Sequence, residues 1–339
     1  MRSLKESINK KPYFIVAEVG LNHDGSLGNA IRFIEEAKDA GVDAVKFQLH
    51  IGEAETLPTA PTPSHFQLEG RMEMYKRTAF TTEEWKKLKD YAHSKELFFL
   101  VSPFSHEAVD VLEEVGIDGY KIPSGEVTNL PLLEYINSKN KPVLLSTGMS
   151  DWDEIQNAID ALNENLVVIF QCTSKYPLNP EGVGLNVIEE MKKRYSKLAI
   201  GLSDHTTNDW TAIAAFMKGA RIFEKHFTLS KKLYGADARF SFEPEELARY
   251  VQGIKFIHSV LQNPIDKSDL TPHADAKRVY EKSIVTARDL KGGHRLREED
   301  LAFKKPGDGI RADRYKEIIG KELKQDIPKN EKILLKHLK

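Results

Sequence analysis

GLSDHTTNDWTAIAAFMKGARIFEKHFT, residues 201–228, is the stretch whose reading decides the fold. A short apolar run over 199–203 ends in small polar residues, Trp210 to Phe216 follow at helical spacing, and a second short run covers 221–224. That order predicts strand, helix, strand. In a parallel α/β unit both strands point the same way, so His205 and His226, one just past each strand, emerge at the same carboxyl edge of the sheet. A single histidine after a strand is commonly a surface or capping residue. Two of them, with Ser203, Asp204, Glu224 and Lys225 alongside, point to a shared ion. Imidazole suits Mn, Fe, Co or Zn, and two histidines without a cysteine cluster leave coordination positions for water or substrate, which suits catalysis.

Working outward, the same alternation fills most of the chain. Strands are expected at 14–19, 44–48, 98–101, 119–122, 143–146, 167–171, 199–203 and 221–224, eight in all. Between them lie amphipathic stretches at 30–40, 83–94, 107–115, 132–138, 152–162 and 186–194, and Thr81-x-x-Glu84 has the form of a capping box. Eight β/α repeats ending near Ser259 match the roughly 250 residues of a (β/α)8 TIM barrel, with a doubly wound open sheet as the alternative. Residues 262–282, with two prolines and many charges, read as a linker holding at most one short helix. Beyond it, runs at 283–287, 298–301, 317–321 and 333–335, with turns at Lys291-Gly292-Gly293 and Pro306-Gly307-Asp308-Gly309, predict a small domain of short strands and a thin core. The expected division is a barrel over 1–260, a linker over 261–278 and a small domain over 279–339.

Composition narrows the function. The 339 residues carry 49 basic and 51 acidic side chains, a net charge of −2, which gives no reason to expect nucleic acid or an anionic membrane as partner. Residues 1–11 are charged and lack the apolar core of a signal peptide, and no apolar run approaches a membrane span. The single cysteine, Cys172, excludes an internal disulfide and fits a reducing cytoplasm, with burial at a strand end as its expected place. No GxxxxGK[ST] loop, no GxGxxG after a strand and no G-x-S-x-G elbow occurs.

Active sites of such barrels lie at the carboxyl ends of the strands. Those ends deliver Glu18, Asn22 and His23, then Lys46 and Gln48, Ser102, Lys121 with Ser124 and Glu126, Ser146, Thr147 and Gly148, Thr173, Ser174 and Tyr176, and last Ser203, His205, Glu224 and His226. Lysines in a barrel mouth are costly to desolvate unless an anion accompanies them, and two lysines with hydroxyls and glycine-flanked amides make a phosphate seat. The competing account makes Lys46 and Lys121 structural ion-pair partners of Glu18 and Glu126. A phosphate seat beside a metal implies a small phosphorylated substrate and Lewis-acid chemistry on a carbonyl.

AEVGLNHDGS (17–26), DAVKFQ (43–48), SPF (102–104), YKIPSGE (120–126), LSTGM (145–149), IGLSDHT (200–206) and EKHFTL (224–229) together resemble the sialic acid synthase family, the phosphoenolpyruvate-condensing transferases that make nonulosonic acids such as N-acetylneuraminate. SIVTARDLKGG and KKPGDGI, within 279–339, resemble that family's antifreeze-like SAF domain, a β-clip fold. The resemblance implies condensation of phosphoenolpyruvate with an open-chain N-acetylmannosamine-type amino sugar and release of phosphate. It makes His205 and His226 ligands of a divalent cation, Mn2+ or Mg2+. It puts Lys46, Ser102, Lys121, Ser124, Ser146 and Ser203 around phosphoenolpyruvate, Gln48, Tyr176 and Asp237 around the sugar, and Glu18 beside the reacting aldehyde. Glu126 and Ser174 complete the expected substrate contacts. It also implies a domain-swapped homodimer in which the small domain covers the partner's barrel.

Departures bear on the sugar. Where many members carry arginine before Pro-Gly, this chain has Lys304-Lys305-Pro306-Gly307, so Lys305 is the expected contact from the small domain, without arginine's planar fork. Ser174 stands where neuraminate synthases have asparagine, and the loop after the barrel strands reads GADARFS (235–241). Legionaminate, pseudaminate and spore-coat polysaccharide branches therefore stay open. From other classes, a Schiff-base aldolase using Lys121 or Lys225, or a non-catalytic sugar-binding protein, are the alternatives.

Overall fold

Eight short runs rich in Val, Ile, Leu and Phe become eight parallel strands, because each is bounded by turn residues and buries side chains on both faces. In a computed structural model, which describes residues 3–62, 69–176 and 178–339, they are β1 (Phe14–Gly20), β2 (Ala44–Leu49), β3 (Phe98–Pro103), β4 (Gly119–Ile122), β5 (Val143–Ser146), β6 (Leu166–Cys172), β7 (Ala199–Asp204) and β8 (Ile222–His226). Every expected strand is present to within two residues at either end. They close into a barrel in sequence order, with β1 pairing both β2 and β8, which excludes the open doubly wound sheet. Helices alternate with the strands. Thr81 and Glu84 form the expected capping box ahead of the helix Thr82–Ser94, the Thr81 N–H donating to Glu84 Oε2 at 2.8 Å.

The period of two along each strand divides the interior into a floor and a mouth. Inward positions Phe14 and Val16, Ala44, Phe98 and Leu100, Leu144, Phe170 and Ile222 pack into one apolar cluster. Two residues further along, the same face carries Glu18, Lys46, Ser102, Ser146, Cys172 and Glu224. Leu4 and Ile8, one turn apart on the helix Leu4–Lys10, join the floor cluster and close the barrel from below. Gly201 lacks a side chain because a Cβ there would lie 2.5 Å from Phe170.

Contacts divide the chain into two units, one ending at Gln262 and one from Asn263 to Lys339. Within the second unit the helix Ala274–Tyr280 precedes the antiparallel pair β9 (Ser283–Thr286) and β10 (Leu301–Lys304), and Ile284, Leu290, Leu296, Ile318, Leu323 and Ile333 make much of its core. The expected strand at 298–301 is instead a 3₁₀ turn, Glu298–Asp300, leading into β10, and 317–321 and 333–335 form no ladder of their own. Single bridges such as Val285 to Lys332 and Arg295 to Glu322 hold this part of the chain.

Asp300 is the polar anchor of that unit. Its fully buried carboxylate receives His294 Nε2 at 2.6 Å, the Arg297 N–H at 2.9 Å and Arg288 Nη2 at 2.7 Å. Burial acts to raise its pKa, but these donors prevail and hold it down to about 2. A depressed carboxyl contributes stability above its unfolded pKa of about 3.9 and loses it as pH falls toward the folded value. Asp300→Asn should therefore lower the unfolding free energy by about 1–2 kcal/mol at pH 7, with the deficit shrinking between pH 4 and pH 2. Calorimetry of the full chain across that range measures both, and an equal deficit at both ends would refute the assignment.

Candidate active site

Four strands place charge just above the apolar floor: Glu18 on β1, Lys46 on β2, Lys121 on β4 and Glu224 on β8, all at or below 4% exposure. Lys46 Nζ lies 3.0 Å from Glu18 Oε1 and 3.6 Å from Glu224 Oε1. Lys121 Nζ lies 3.2 Å from that same Glu224 oxygen and donates to Ser146 Oγ at 2.7 Å. The result is an alternating row, Glu18–Lys46–Glu224–Lys121. The pairing of Lys121 with Glu126 is corrected: Lys121 points across the barrel to β8, while Glu126 sits beyond β4 on the 3₁₀ turn Ser124–Glu126 and accepts from Asn129 Nδ2 at 2.8 Å.

Desolvation opposes every charge in the row and the neighbours decide each outcome. Burial raises the Glu18 pKa, Lys46 offsets it in part, and the Glu224 charge adds to the rise. Burial also acts upward on Glu224, yet Lys121 and Lys46 together hold it below its ordinary value. For Lys46, Glu18 and Glu224 outweigh burial and raise it, whereas burial prevails at Lys121 and lowers it. Of the two carboxyls in the row, Glu18 is thus the better placed to take a proton. Glu18 Oε2, Glu224 Oε2 and Ser102 Oγ are buried without a hydrogen-bond partner. Buried polar atoms are nearly always paired, so three in one mouth are the signature of a ligand seat.

Above the row stand the two histidines, ring centroids 5.3 Å apart. His205 Nδ1 lies 2.9 Å from the Thr173 carbonyl, which fixes the proton on Nδ1 and leaves Nε2 to accept from the Tyr176 hydroxyl at 3.0 Å. Burial drops the His205 pKa to about 4 and takes His226 well below its ordinary value, the latter aided by His205. Both rings are neutral, the state in which a nitrogen lone pair ligates a metal, and His226 Nδ1 is buried and unpartnered. Among the described residues no three His, Cys, Asp or Glu side chains converge to hold an ion alone. The imidazoles fit a cation as two ligands of a site with further positions open.

Ser124, Ser174, Ser203, Gln48 and Asp237 lie at the same mouth. Gly148 is needed because a Cβ would lie 2.6 Å from Ser174 Oγ and 2.9 Å from Ser124 Oγ, so two hydroxyls close over it. Its N–H already donates to Ser124 Oγ at 2.8 Å. Ser203 Oγ donates to Glu224 Oε1 at 3.1 Å. Gln48 Nε2 donates to Glu18 Oε1 at 2.7 Å, and Asp237 Oδ2 lies 3.7 Å from His226 Nδ1. Burial, then the Glu18 charge, push Asp237 up to about 7. Lys305 belongs to the second unit, its ammonium 5.3 Å from the centre of the Tyr280 ring.

Sequence reasoning missed His50. Its ring is stacked between Tyr75 and Phe104, each 3.9 Å away, its Nδ1 lies 2.9 Å from Glu55 Oε2, and its Nε2 lies 3.3 Å from Gln48 Oε1. Glu55, His50, Gln48 and Glu18 thereby form a continuous polar chain. The signal was the period of two through Lys46, Gln48 and His50, which runs past the end of the strand.

With this geometry in hand, the sequence matches the NeuB family over residues 33–266 and the SAF domain over 281–339. The chain belongs to the NeuB family. It is 36% identical over 322 residues to the N,N'-diacetyllegionaminic acid synthase of Campylobacter jejuni, covering 92% of this chain and 96% of that one. It is 33% identical to the N-acetylneuraminate-9-phosphate synthase of Mus musculus, covering 87% of this chain and 84% of that one. The N-acetylneuraminic acid synthetase of Leptospira borgpetersenii, solved with citrate, superposes with a TM-score of 0.68 at 31% identity, covering 78% and 90%.

In this NeuB-family site Glu224 is the shared counter-charge of both lysines, so its replacement has a readable effect. Glu224→Gln should destabilise the chain by about 3 kcal/mol or more, because it strips partners from two buried cations. Added inorganic phosphate should then raise the variant's melting temperature more than that of the unmodified chain. Thermal shift with and without phosphate tests this, and equal shifts would show that the lysines do not face an anion seat.

Proposed function

We propose that this chain condenses phosphoenolpyruvate with an open-chain N-acylmannosamine-type amino sugar, giving a nonulosonate and inorganic phosphate by C–O cleavage. The observation that carries the reading is the buried Glu18–Lys46–Glu224–Lys121 row with its unpartnered oxygens beneath two neutral imidazoles. The relatives' names support the class: the synthases of Campylobacter jejuni and Mus musculus are named for a legionaminic acid and for a neuraminate phosphate.

Lys46 and Lys121 would hold the phosphate and carboxylate of phosphoenolpyruvate, with Ser102 Oγ as a further donor and Ser124, Ser146 and Ser203 around it. Their charges favour departure of phosphate once water has added at the enol carbon. Gln48, Tyr176, Asp237, Ser174 and Glu126 would orient the sugar. Glu18, its pKa raised, would exchange a proton with the new hydroxyl or steady positive charge at the enol carbon through Oε2. His205 and His226 would hold a divalent cation, Mn2+ or Mg2+, whose Lewis acidity polarises the sugar aldehyde. The apolar floor keeps water from below, which strengthens each of these interactions.

The oligomer is part of the same proposal. A homodimer in which each small domain, through Lys305 and the loop after it, covers the partner's barrel would shield the mouth. The buried thiol of Cys172 supports a reducing compartment such as the cytoplasm. No helix among the described residues is long and apolar enough to cross a membrane.

Three experiments test the reading. Phosphate release from phosphoenolpyruvate, assayed with N-acyl and di-N-acyl hexosamines, should appear with at least one sugar, vanish in chelator and return with Mn2+ or Mg2+. Borohydride trapping of a lysine adduct instead would install the Schiff-base alternative. Lys46→Met and Lys121→Met should each weaken phosphoenolpyruvate affinity by about 2–4 kcal/mol and sugar affinity far less. Variants that melt early yet bind phosphoenolpyruvate normally would reduce the lysines to structural ion pairs.

A further inference from the structure

Alternation along β7 and β8 sends Ser203 and Glu224 inward and Asp204 and Lys225 outward, and Asp204 pairs with Lys225 across the ladder. Outside the barrel these two form an ion pair, Lys225 Nζ lying 2.8 Å from Asp204 Oδ2 with side-chain exposures of 1% and 0%. Lys225 Nζ also donates to the carbonyl of Thr206, and it lies 4.3 Å from the centre of the Phe242 ring. The Thr206 N–H and hydroxyl return to Asp204 at 2.9 and 3.0 Å. One ammonium therefore binds both neighbours of His205 in sequence, and it is borne by the residue immediately before His226.

That coincidence has a physical reading. Beyond Asp204 the chain has left the ladder with β8, so sheet hydrogen bonds stop fixing the backbone at His205. A buried ion pair is a poor source of stability, since desolvation consumes most of the Coulomb gain and apolar residues of similar volume do as well. What it supplies is a specific geometry. We propose that Asp204 and Lys225 are positioning residues that hold His205 and His226 at a fixed separation and thereby set the affinity of the site for a divalent cation. This rests on the metal reading of the two histidines and adds the device that spaces them.

The effect is read as Mn2+ affinity, by calorimetric titration and by the electron paramagnetic resonance spectrum of bound Mn2+. The informative variant is the double Asp204→Asn, Lys225→Met, which leaves no unpaired buried charge. Its Mn2+ dissociation constant should rise about ten- to a hundredfold, as for other residues that orient ligands from behind, and its Mn2+ spectrum should change. Lys225→Arg should restore most of the affinity, because a guanidinium has donors for both Asp204 and the Thr206 carbonyl and stacks on Phe242. A folded double variant that binds Mn2+ like the unmodified chain overturns the inference, and so does one that loses the barrel fold, since the pair would then determine the fold and not the spacing. His205→Ala separates the two levels. If the unmodified chain binds no Mn2+, or binds it equally after His205→Ala, the metal reading itself fails; if His205→Ala abolishes binding while the double variant does not, only the positioning role falls.

Discussion

The row Glu18–Lys46–Glu224–Lys121 is the constraint on which the rest of the barrel depends. Four charges in a dry interior are tolerable only if each meets its opposite, and the four come from β1, β2, β4 and β8. Closure between β1 and β8 is what brings Glu18 level with His226 and Glu224 within reach of Lys46. An open sheet with the same strands would leave β1 and β8 at opposite edges, keeping Glu18 beside Lys46 but separating Glu224 from both lysines. The apolar floor is equally necessary, because it removes the water that would otherwise screen the row.

The barrel was legible because strand periodicity, helix spacing and the Thr81 capping box are local, and eight repeats leave few architectures. The list of strand-end residues was legible for the same reason: which residues reach the mouth follows from where each strand stops. Which of them face each other does not. Pairing Lys121 with Glu126 relied on nearness in sequence, whereas the partner is Glu224, 103 positions away and across the barrel. His50 was hidden because its neighbours Tyr75 and Phe104 come from a helix and a loop whose approach only the folded chain defines. The helix Leu4–Lys10 was hidden too, since two apolar residues among charges give little periodicity, although both are buried.

The small unit shows the opposite balance. Its short strands and turns were expected, but a core built largely of single leucines and isoleucines spread over loops offers no period to read. Only β9 and β10 form a ladder, and the rest is held by isolated bridges and by polar anchors such as Asp300. Where hydrophobic burial is thin, a carboxylate with three separate donors does the work of fixing chain segments, and residue type alone does not announce it.

Two buried ion-pair systems that share strand β8 make a final comparison possible. Lys225 and Asp204, on the outer face of β8 and β7, are saturated: the ammonium meets a carboxylate, a carbonyl and an aromatic face, and both carboxylate oxygens are bonded. Lys46, Lys121, Glu18 and Glu224, on the inner face, are matched in charge but not in hydrogen bonds, since each carboxylate keeps one oxygen unpartnered. The chain evidently has the means to saturate buried charge a few ångströms away, so incompleteness inside the barrel is not a limit of the fold. Buried charge by itself therefore does not mark a site. Buried charge with unmet hydrogen bonds is the better marker, because a ligand or a bound water that brings its own donors must repay the desolvation.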